Sequence, residues 1–246
     1  MGLTRDQERL SLILFASGTT RLLLAGGAGL IAHGIIQRPT DDLDGFIHSQ
    51  DDFTHIAQEA EQRLRDAGYE LVADPTSLGG DESQIRSWLV RRHKTSRRGR
   101  LPKVVKVQFV RDHIVMPPAT SQVGYTIDPL ELGANKITAI YDRTRARDFD
   151  DLSLAARRIN LDAMMEVADR KQATPIDRTM LAEQFRQVRR IPDDAFREKR
   201  PDADIDAIRR WALGIAEALS TQALLAAVPL PPASLAPVTT AQTPDG

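Results

Sequence analysis

The sequence predicts an α/β (α+β) protein: a mixed sheet with helices packed on it, continued by a lobe made of helices alone. Three features of the 246 residues carry this expectation. Short apolar runs bounded by glycine alternate with amphipathic helical segments through the first half of the chain. Beyond residue 125 only the helical period remains. From Val228 the chain turns to Pro, Ala and Thr with almost no charge, a composition read as disordered. The expected organisation is a core domain over residues 1–125, a helical lobe over 126–227 and a disordered tail over 228–246.

The elements follow in order. Thr4 and Gln7 have capping-box spacing, and Leu10, Ile13 and Leu14 recur at helical intervals before Gly18. Arg21 to Ala25 is a short apolar run that reads as a buried strand, broken by Gly26 and Gly27. A helix is expected over Ala28–Ile36, a strand over Leu43–His48, and an amphipathic helix over Asp51–Ala67. Strands are expected near Tyr69–Val72, Ile85–Arg92 and Val104–Val110, the last two joined by a basic loop from Lys94 to Arg100. The later helices are placed at Leu130–Tyr141, Asp148–Arg158, Leu161–Asp169, Asp177–Arg189 and Asp204–Leu219, several of them preceded by Asp or Asn.

Composition narrows the function. No stretch approaches the ~20 apolar residues of a membrane-spanning helix, so no membrane partner is expected. The first residues carry acids and no apolar core, which argues against a secretory signal and for the cytoplasm. Cysteine is absent, which excludes disulfides, thiolate metal sites and a cysteine nucleophile. The net charge of -1 hides a strong asymmetry. From Ser83 to Arg111 there is no Asp or Glu, while ten residues are basic: Arg86, Arg91, Arg92, Lys94, Arg97, Arg98, Arg100, Lys103, Lys106 and Arg111. Of the 33 Lys and Arg, 23 are left to face all 34 acids in the rest of the chain. Such a block suits an anionic partner; the plainer reading is a solvated charged hairpin.

The chemistry centres on Asp42-Leu43-Asp44 at the start of a strand. Side chains at i and i+2 share one face, so two carboxylates are held side by side. Like charges that close repel unless a cation separates them, and oxygen ligands in small number suit Mg²⁺. An Asp-x-Asp alone also describes two surface acids in a turn. Upstream, however, Leu22-Leu23-Leu24-Ala25 runs into Gly26-Gly27 and then a helix, where backbone amides can approach phosphate oxygens. This is no Walker A loop, because no Gly-Lys-Ser/Thr follows.

The strand, glycine pair, helix and Asp-x-Asp strand together resemble the polymerase-β-like nucleotidyltransferase superfamily. Three blocks narrow the resemblance to toxins of the AbiEii/MenT type. Arg38-Pro39-Thr40-Asp41-Asp42-Leu43-Asp44 is similar to their Arg-x-Ser/Thr-x-Asp-hydrophobic-Asp block. Leu130 to Ala139 is similar to their helix with a central lysine, here Lys136. Arg145-Ala146-Arg147-Asp148-Phe149-Asp150-Asp151-Leu152 is similar to their Arg-Asp-x-x-Asp-Leu block.

The resemblance implies a division of labour. Asp42 and Asp44 would bind catalytic Mg²⁺, Gly26 and Gly27 would hold the triphosphate with Arg38 beside it, and Lys136 would meet a phosphate as a point charge. Asp148 would position or deprotonate the attacking hydroxyl. Without the family, Lys136 reads as a helix lysine reaching for solvent and Asp148 as a helix N-cap. Asp151 reads as structural, pairing with Arg147 across one turn.

The implied function is a toxin of a toxin–antitoxin pair that transfers a nucleotide from an NTP to RNA, in the family a tRNA 3′ end, and so blocks translation. Arg91, Arg92, Lys94, Arg97, Arg98 and Arg100 are the expected RNA contacts, and a monomer with a cognate antitoxin is expected. If that antitoxin is a kinase, Thr40 is the position whose phosphorylation would disturb the metal site. One feature departs from the polymerase pattern: the slot for a third carboxylate on a later strand holds Gln108, leaving Asp112 or Asp148 to supply the charge. Two other classes compete. A small-molecule nucleotidyltransferase of the antibiotic-modifying type would want an acidic acceptor pocket, which the basic hairpin opposes. A non-catalytic RNA-binding module is favoured only by Gln108. The histidines show no metal-ligand spacing, and Trp88 is either a stacking platform or core.

Overall fold

The computed structural model describes residues 2–16, 19–75, 84–92 and 104–227. Helix α1 (Arg5–Phe15) leads to strand β1 (Leu22–Ala25), helix α2 (Gly26–Ala32), strand β2 (Asp42–His48), helix α3 (Phe53–Asp66) and strands β3 (Tyr69–Ala73), β4 (Ile85–Arg92) and β5 (Val105–Asp112). A short hairpin, β6 (Ala119–Ser121) and β7 (Gly124–Thr126), precedes helices α4 (Pro129–Asp142), α5 (Ala146–Ala155), α6 (Leu161–Lys171) and α7 (Arg178–Arg186). A 3₁₀ turn (Gln187–Arg190), helix α8 (Asp193–Arg197) and the long helix α9 (Ile205–Ala227) complete the chain.

The strands form one seven-stranded mixed sheet in the order β3-β4-β5-β2-β1-β7-β6. β2 lies at its centre, antiparallel to β1 and parallel to β5. The sheet is covered on both faces, which is why β1 reads as an unbroken apolar run rather than an alternation. Leu22 and Leu24 enter one core with α1 and α3, while Leu23 and Ala25 enter the other with α2 and the helices after β7. All four are buried, and each leucine contributes on the order of 1.5–3 kcal/mol by leaving water. In β2, Leu43 and Ile47 point into the α1/α3 core, so Asp42, Asp44 and Phe46 face the helical half. The carboxylates are thereby aimed between the sheet and α4–α5.

Local signals explain most boundaries. The capping box is present in full, with Gln7 N–H donating to Thr4 Oγ1 and Thr4 N–H to Gln7 Oε1. Asp52, Asp128, Asn160 and Asp177 cap α3, α4, α6 and α7 through their side chains. The helix expected over Ala28–Ile36 starts and ends earlier: Gly26 takes φ +59° and turns the chain straight from β1 into α2. The β6–β7 hairpin and α8 were not anticipated, being too short to show a period. The compositional change near residue 125 falls inside β7, which adds to the sheet beside β1. The last helix runs to Ala227, beyond the expected Leu219. The tail from 228 and the loop from Lys94 to Arg100 lie outside the described residues.

Candidate active site

A cavity of about 360 Å³ opens between β2, the start of α2, α4 and the start of α5. Gly26, Gly27, Arg38, Thr40, Asp42, Asp44, Lys136 and Asp148 all line it. Residues drawn from three sequence blocks, separated by about a hundred positions, thus meet around one space.

Gly26 is required twice over. Its positive φ favours glycine, and a Cβ there would stand 2.1 Å from Asp44 Oδ2. The missing side chain lets the Asp44 carboxylate lie against the turn. At Gly27 a Cβ would come within 3.0 Å of the Arg38 guanidinium and 3.5 Å of Thr40 Oγ1. Thr40 in turn donates from Oγ1 to Asp42 Oδ1 at 3.1 Å, and its carbonyl accepts from Gln7 Nε2 at 2.8 Å. Helix α1 therefore fixes the segment that carries both carboxylates.

Burial pushes the Asp44 carboxyl up to about 6, and the neighbouring charge of Asp42 adds to the shift. Lys136, Arg147 and Lys106 act in the opposite sense. Two crowded carboxylates at the rim of a cavity are a donor set that a divalent cation would relieve. Among the described residues no group of three His, Asp or Glu could hold a metal. Two protein carboxylates with the remaining shell left to water and phosphate are the ordinary provision for Mg²⁺, so the residues fit that ion.

Opposite the carboxylates lies a buried ionic network. Lys136 donates to Asp148 Oδ1 at 2.9 Å and reaches Asp151 Oδ2 at 2.8 Å. Arg38 grips Asp151 with both arms at 2.7 Å and gives its remaining terminal nitrogen to the Pro39 carbonyl. Burial alone would lower Lys136, but Asp151 and then Asp148 outweigh it and hold the ammonium above the ordinary lysine range. Burial likewise opposes ionisation of Asp151, yet Lys136 and Arg38 keep it below the ordinary carboxylate value. All three groups are charged at neutral pH. Asp148 is fully buried, its Oδ2 accepts no hydrogen bond, and Arg143 stands 3.5 Å from that oxygen. One carboxylate oxygen is therefore held by Lys136, while the other is buried beside the Arg143 guanidinium with no hydrogen bond of its own.

Several expectations change. Asp151 is structural but its partners are Arg38 and Lys136, not Arg147. Asp148 is not the N-cap of α5; that position is Arg145, and Asp148 sits in the first turn, where a negative charge faces the helix dipole favourably. Arg38, expected on the nucleotide, lines the cavity, with three of its five N–H donors engaged by Asp151 and Pro39. Gln108 stands directly across from Asp44 in the β2–β5 register and lines the cavity, so the third-carboxylate slot exists and carries an amide. Of the two proposed substitutes, Asp112 lies four residues further on opposite His48 and pairs with Lys171 at 2.6 Å, whereas Asp148 lines the cavity. Trp88 is core, packed edge-on against Phe109 at 5.1 Å.

The expected RNA contacts are only partly in view. Arg91 is exposed but bound by Glu70 at 2.7 Å, Arg86 by Glu61 at 3.1 Å and Lys106 by Asp74 at 2.7 Å. Lys94, Arg97, Arg98 and Arg100 lie outside the described residues. What the sequence reading passed over is the alternation Arg143, Arg145, Arg147 ahead of Asp148, all three on the cavity wall. Basic residues at i, i+2 and i+4 in the segment entering a helix were the available signal.

The family model described as nucleotidyl transferase AbiEii toxin, Type IV TA system, matches residues 11–228. No curated protein matches by sequence. Among solved structures, MenT4, a nucleotidyltransferase toxin from Mycobacterium tuberculosis, superposes with a TM-score of 0.60 at 17% identity, covering 86% of this chain and 82% of its own. JHP933 from Helicobacter pylori superposes with a TM-score of 0.56 at 17% identity, over 92% of this chain and 99% of its own. At such identities these two structures share the fold.

Proposed function

The chain belongs to the AbiEii nucleotidyl transferase toxin family, and from that premise we propose that it transfers a nucleoside monophosphate from an NTP to the 3′ end of an RNA, a tRNA in particular, in a Mg²⁺-dependent reaction that stops translation. The observation that carries the proposal is one cavity in which the Asp42–Asp44 pair, the Gly26–Gly27 turn and the Lys136–Asp148 pair meet.

Asp42 and Asp44 would hold Mg²⁺, which supplies charge neutralisation at the phosphates when bound. Backbone amides at Gly26 and Gly27 would cradle the triphosphate at the start of α2. The acceptor hydroxyl gives its proton to the Asp148 carboxylate as its oxygen bonds to the α-phosphorus. The bond from that phosphorus to the bridging oxygen breaks, and pyrophosphate leaves with the electron pair. Lys136 keeps Asp148 oriented and places a positive charge beside the reacting phosphate, so catalysis is chiefly alignment and charge neutralisation. Arg38 acts one step back, by fixing Asp151 and through it Lys136.

The acid-free stretch from Ser83 to Arg111 supports an RNA acceptor, because a run of cations that includes Lys94, Arg97, Arg98 and Arg100 can neutralise a phosphate backbone. The inhibitory partner we propose is a kinase antitoxin acting on Thr40, which lies 3.1 Å from Asp42. Incubation with Mg²⁺, each labelled NTP and total tRNA tests the reading. Label in the tRNA, lost with EDTA, is the expected result; label in no RNA species overturns it.

A further inference from the structure

We propose that a second cavity beside the catalytic one takes the terminal phosphates of the acceptor RNA, entering from the α5 side; this rests on the nucleotidyl-transfer reading above. The cavity measures about 600 Å³ and is walled by Arg145, Arg147, Arg190 and Lys199 over an apolar floor that includes Ile191 and Pro192. Arg145 and Arg147 also line the catalytic pocket, so the two spaces adjoin along one wall.

Many cations among the described residues are neutralised where they stand. Arg38 is held by Asp151, Arg178 by Asp169, Arg200 by Asp150 and Arg209 by Asp193. Arg145, Arg147 and Arg190 form no ion pair or side-chain hydrogen bond among the described residues. Three guanidinium groups around one concavity repel each other; Arg147 feels the charge of Asp44, the lining carboxylate of Glu198 is taken by Lys199, and an anion between the three removes that repulsion. The planar fork of arginine matches phosphate oxygens in two-point contact. Lys199 is already paired with Asp41 and Glu198 and closes the edge of the cavity rather than seeking a new partner. An apolar floor beneath phosphate-seeking walls suits a strand of nucleotides, whose bases need a dry surface while the backbone needs cations.

The position decides between the two phosphate-bearing substrates. Attacking and leaving oxygens lie roughly in line across the reacting phosphorus. If Gly26 and Gly27 hold the pyrophosphate end of the NTP, the acceptor arrives from the opposite side. Arg145 and Arg147 immediately precede Asp148 on the entry to α5, so a strand drawn over them brings its terminal hydroxyl toward the Asp148 carboxylate, whose Oδ2 carries no hydrogen bond. The basic stretch of residues 83–111 would then meet the body of the RNA, and this cavity its end.

The test compares the wild-type chain with the double variant Arg145→Ser/Arg190→Ser. Both side chains are exposed, so a thermal melt close to wild type is expected; Arg145→Lys/Arg190→Lys, which keeps both charges, supplies the control should the serine variant melt early. With labelled NTP and tRNA, KM for tRNA should rise by about tenfold while KM for NTP stays put, the loss of two phosphate contacts. Binding of a short single-stranded RNA, measured without NTP, should lose roughly 0.7 in salt slope per contact. A rise in KM for NTP alone would place the nucleotide here and overturn the proposal, as would serine variants with unchanged RNA binding and unchanged KM. If the wild type labels no RNA at all, the transferase reading fails, while the RNA-binding arm still decides the cavity.

Discussion

Arg38 and Asp151 stand 113 residues apart in the chain and meet in a two-point ion pair, both contacts 2.7 Å, with almost none of either side chain exposed. Asp151 also carries the charge of Lys136 at 2.8 Å. Removing it as Asp151→Ala strands the buried Arg38 and leaves Lys136 with Asp148 alone, and breaking a buried pair in this way costs about 3–5 kcal/mol. Denaturant unfolding should show a loss of that size. Arg38→Met should cost less, because Lys136 still compensates Asp151. A loss below about 1 kcal/mol for Asp151→Ala, the scale of an exposed pair, would mean the network is solvated and the account wrong.

Asp42→Ala and Asp44→Asn should each abolish nucleotide transfer and toxicity in cells. Their stability should move the other way. The Asp44 carboxyl is raised from 3.8 to about 6, so the folded protein holds this proton more tightly than the unfolded chain. The stability so gained is fully present below about pH 4 and is lost as pH climbs through 6. Asp44→Asn cannot ionise and escapes that loss. In EDTA at pH 8 it should melt above wild type, and at pH 4 the two should converge. Equal melting at both pH values would show that Asp44 is not crowded.

Gly26→Ala and Gly34→Ala make a matched pair. Both glycines have positive φ, +59° and +66°, so alanine costs each a similar backbone strain of roughly 1–2 kcal/mol. Only at Gly26 does the new Cβ meet Asp44; at Gly34 nothing lies within 4 Å. Transfer should collapse in Gly26→Ala and survive in Gly34→Ala at a temperature where both are folded. Equal activities would break the link between the glycine turn and the metal site.

Phosphate on Thr40 would add roughly -1.5 to -2 charge beside Asp42, compete for Mg²⁺ and repel the incoming triphosphate. Thr40→Glu should therefore be inactive and Thr40→Val largely active. Mass spectrometry of the toxin co-expressed with its antitoxin should find the modification on that residue. An active Thr40→Glu would rule out silencing by charge and leave the assignment of Asp42 and Asp44 untouched.

Sequence spacing was a good guide wherever the determining contact is local. The capping box at Thr4 and Gln7, the side-chain caps at Asp52, Asp128, Asn160 and Asp177, and the shared face of Asp42 and Asp44 all depend on neighbours within a few residues. The partner of Asp151 was misread because Arg147 has ideal helical spacing, while the cation that holds it comes from before β2. Nothing in the periodicity of β2 and β5 reveals that they run parallel, so the placing of Gln108 across from Asp44 emerges only with the sheet. The β6–β7 hairpin, three residues a strand, is too short for a period of two to register.

The long reach from Arg38 to Asp151 also sets a timetable. A ribosome makes Gly26, Thr40, Asp42 and Asp44 early, but Lys136 and Asp148 are translated almost a hundred residues later, and the clamp that orients them closes only with Asp151. Until then the chain holds carboxylates without the cation or base that completes them. On the proposed mechanism, a nascent or prematurely ended polypeptide would lack its base, and an antitoxin would have nothing to silence until synthesis has passed α5.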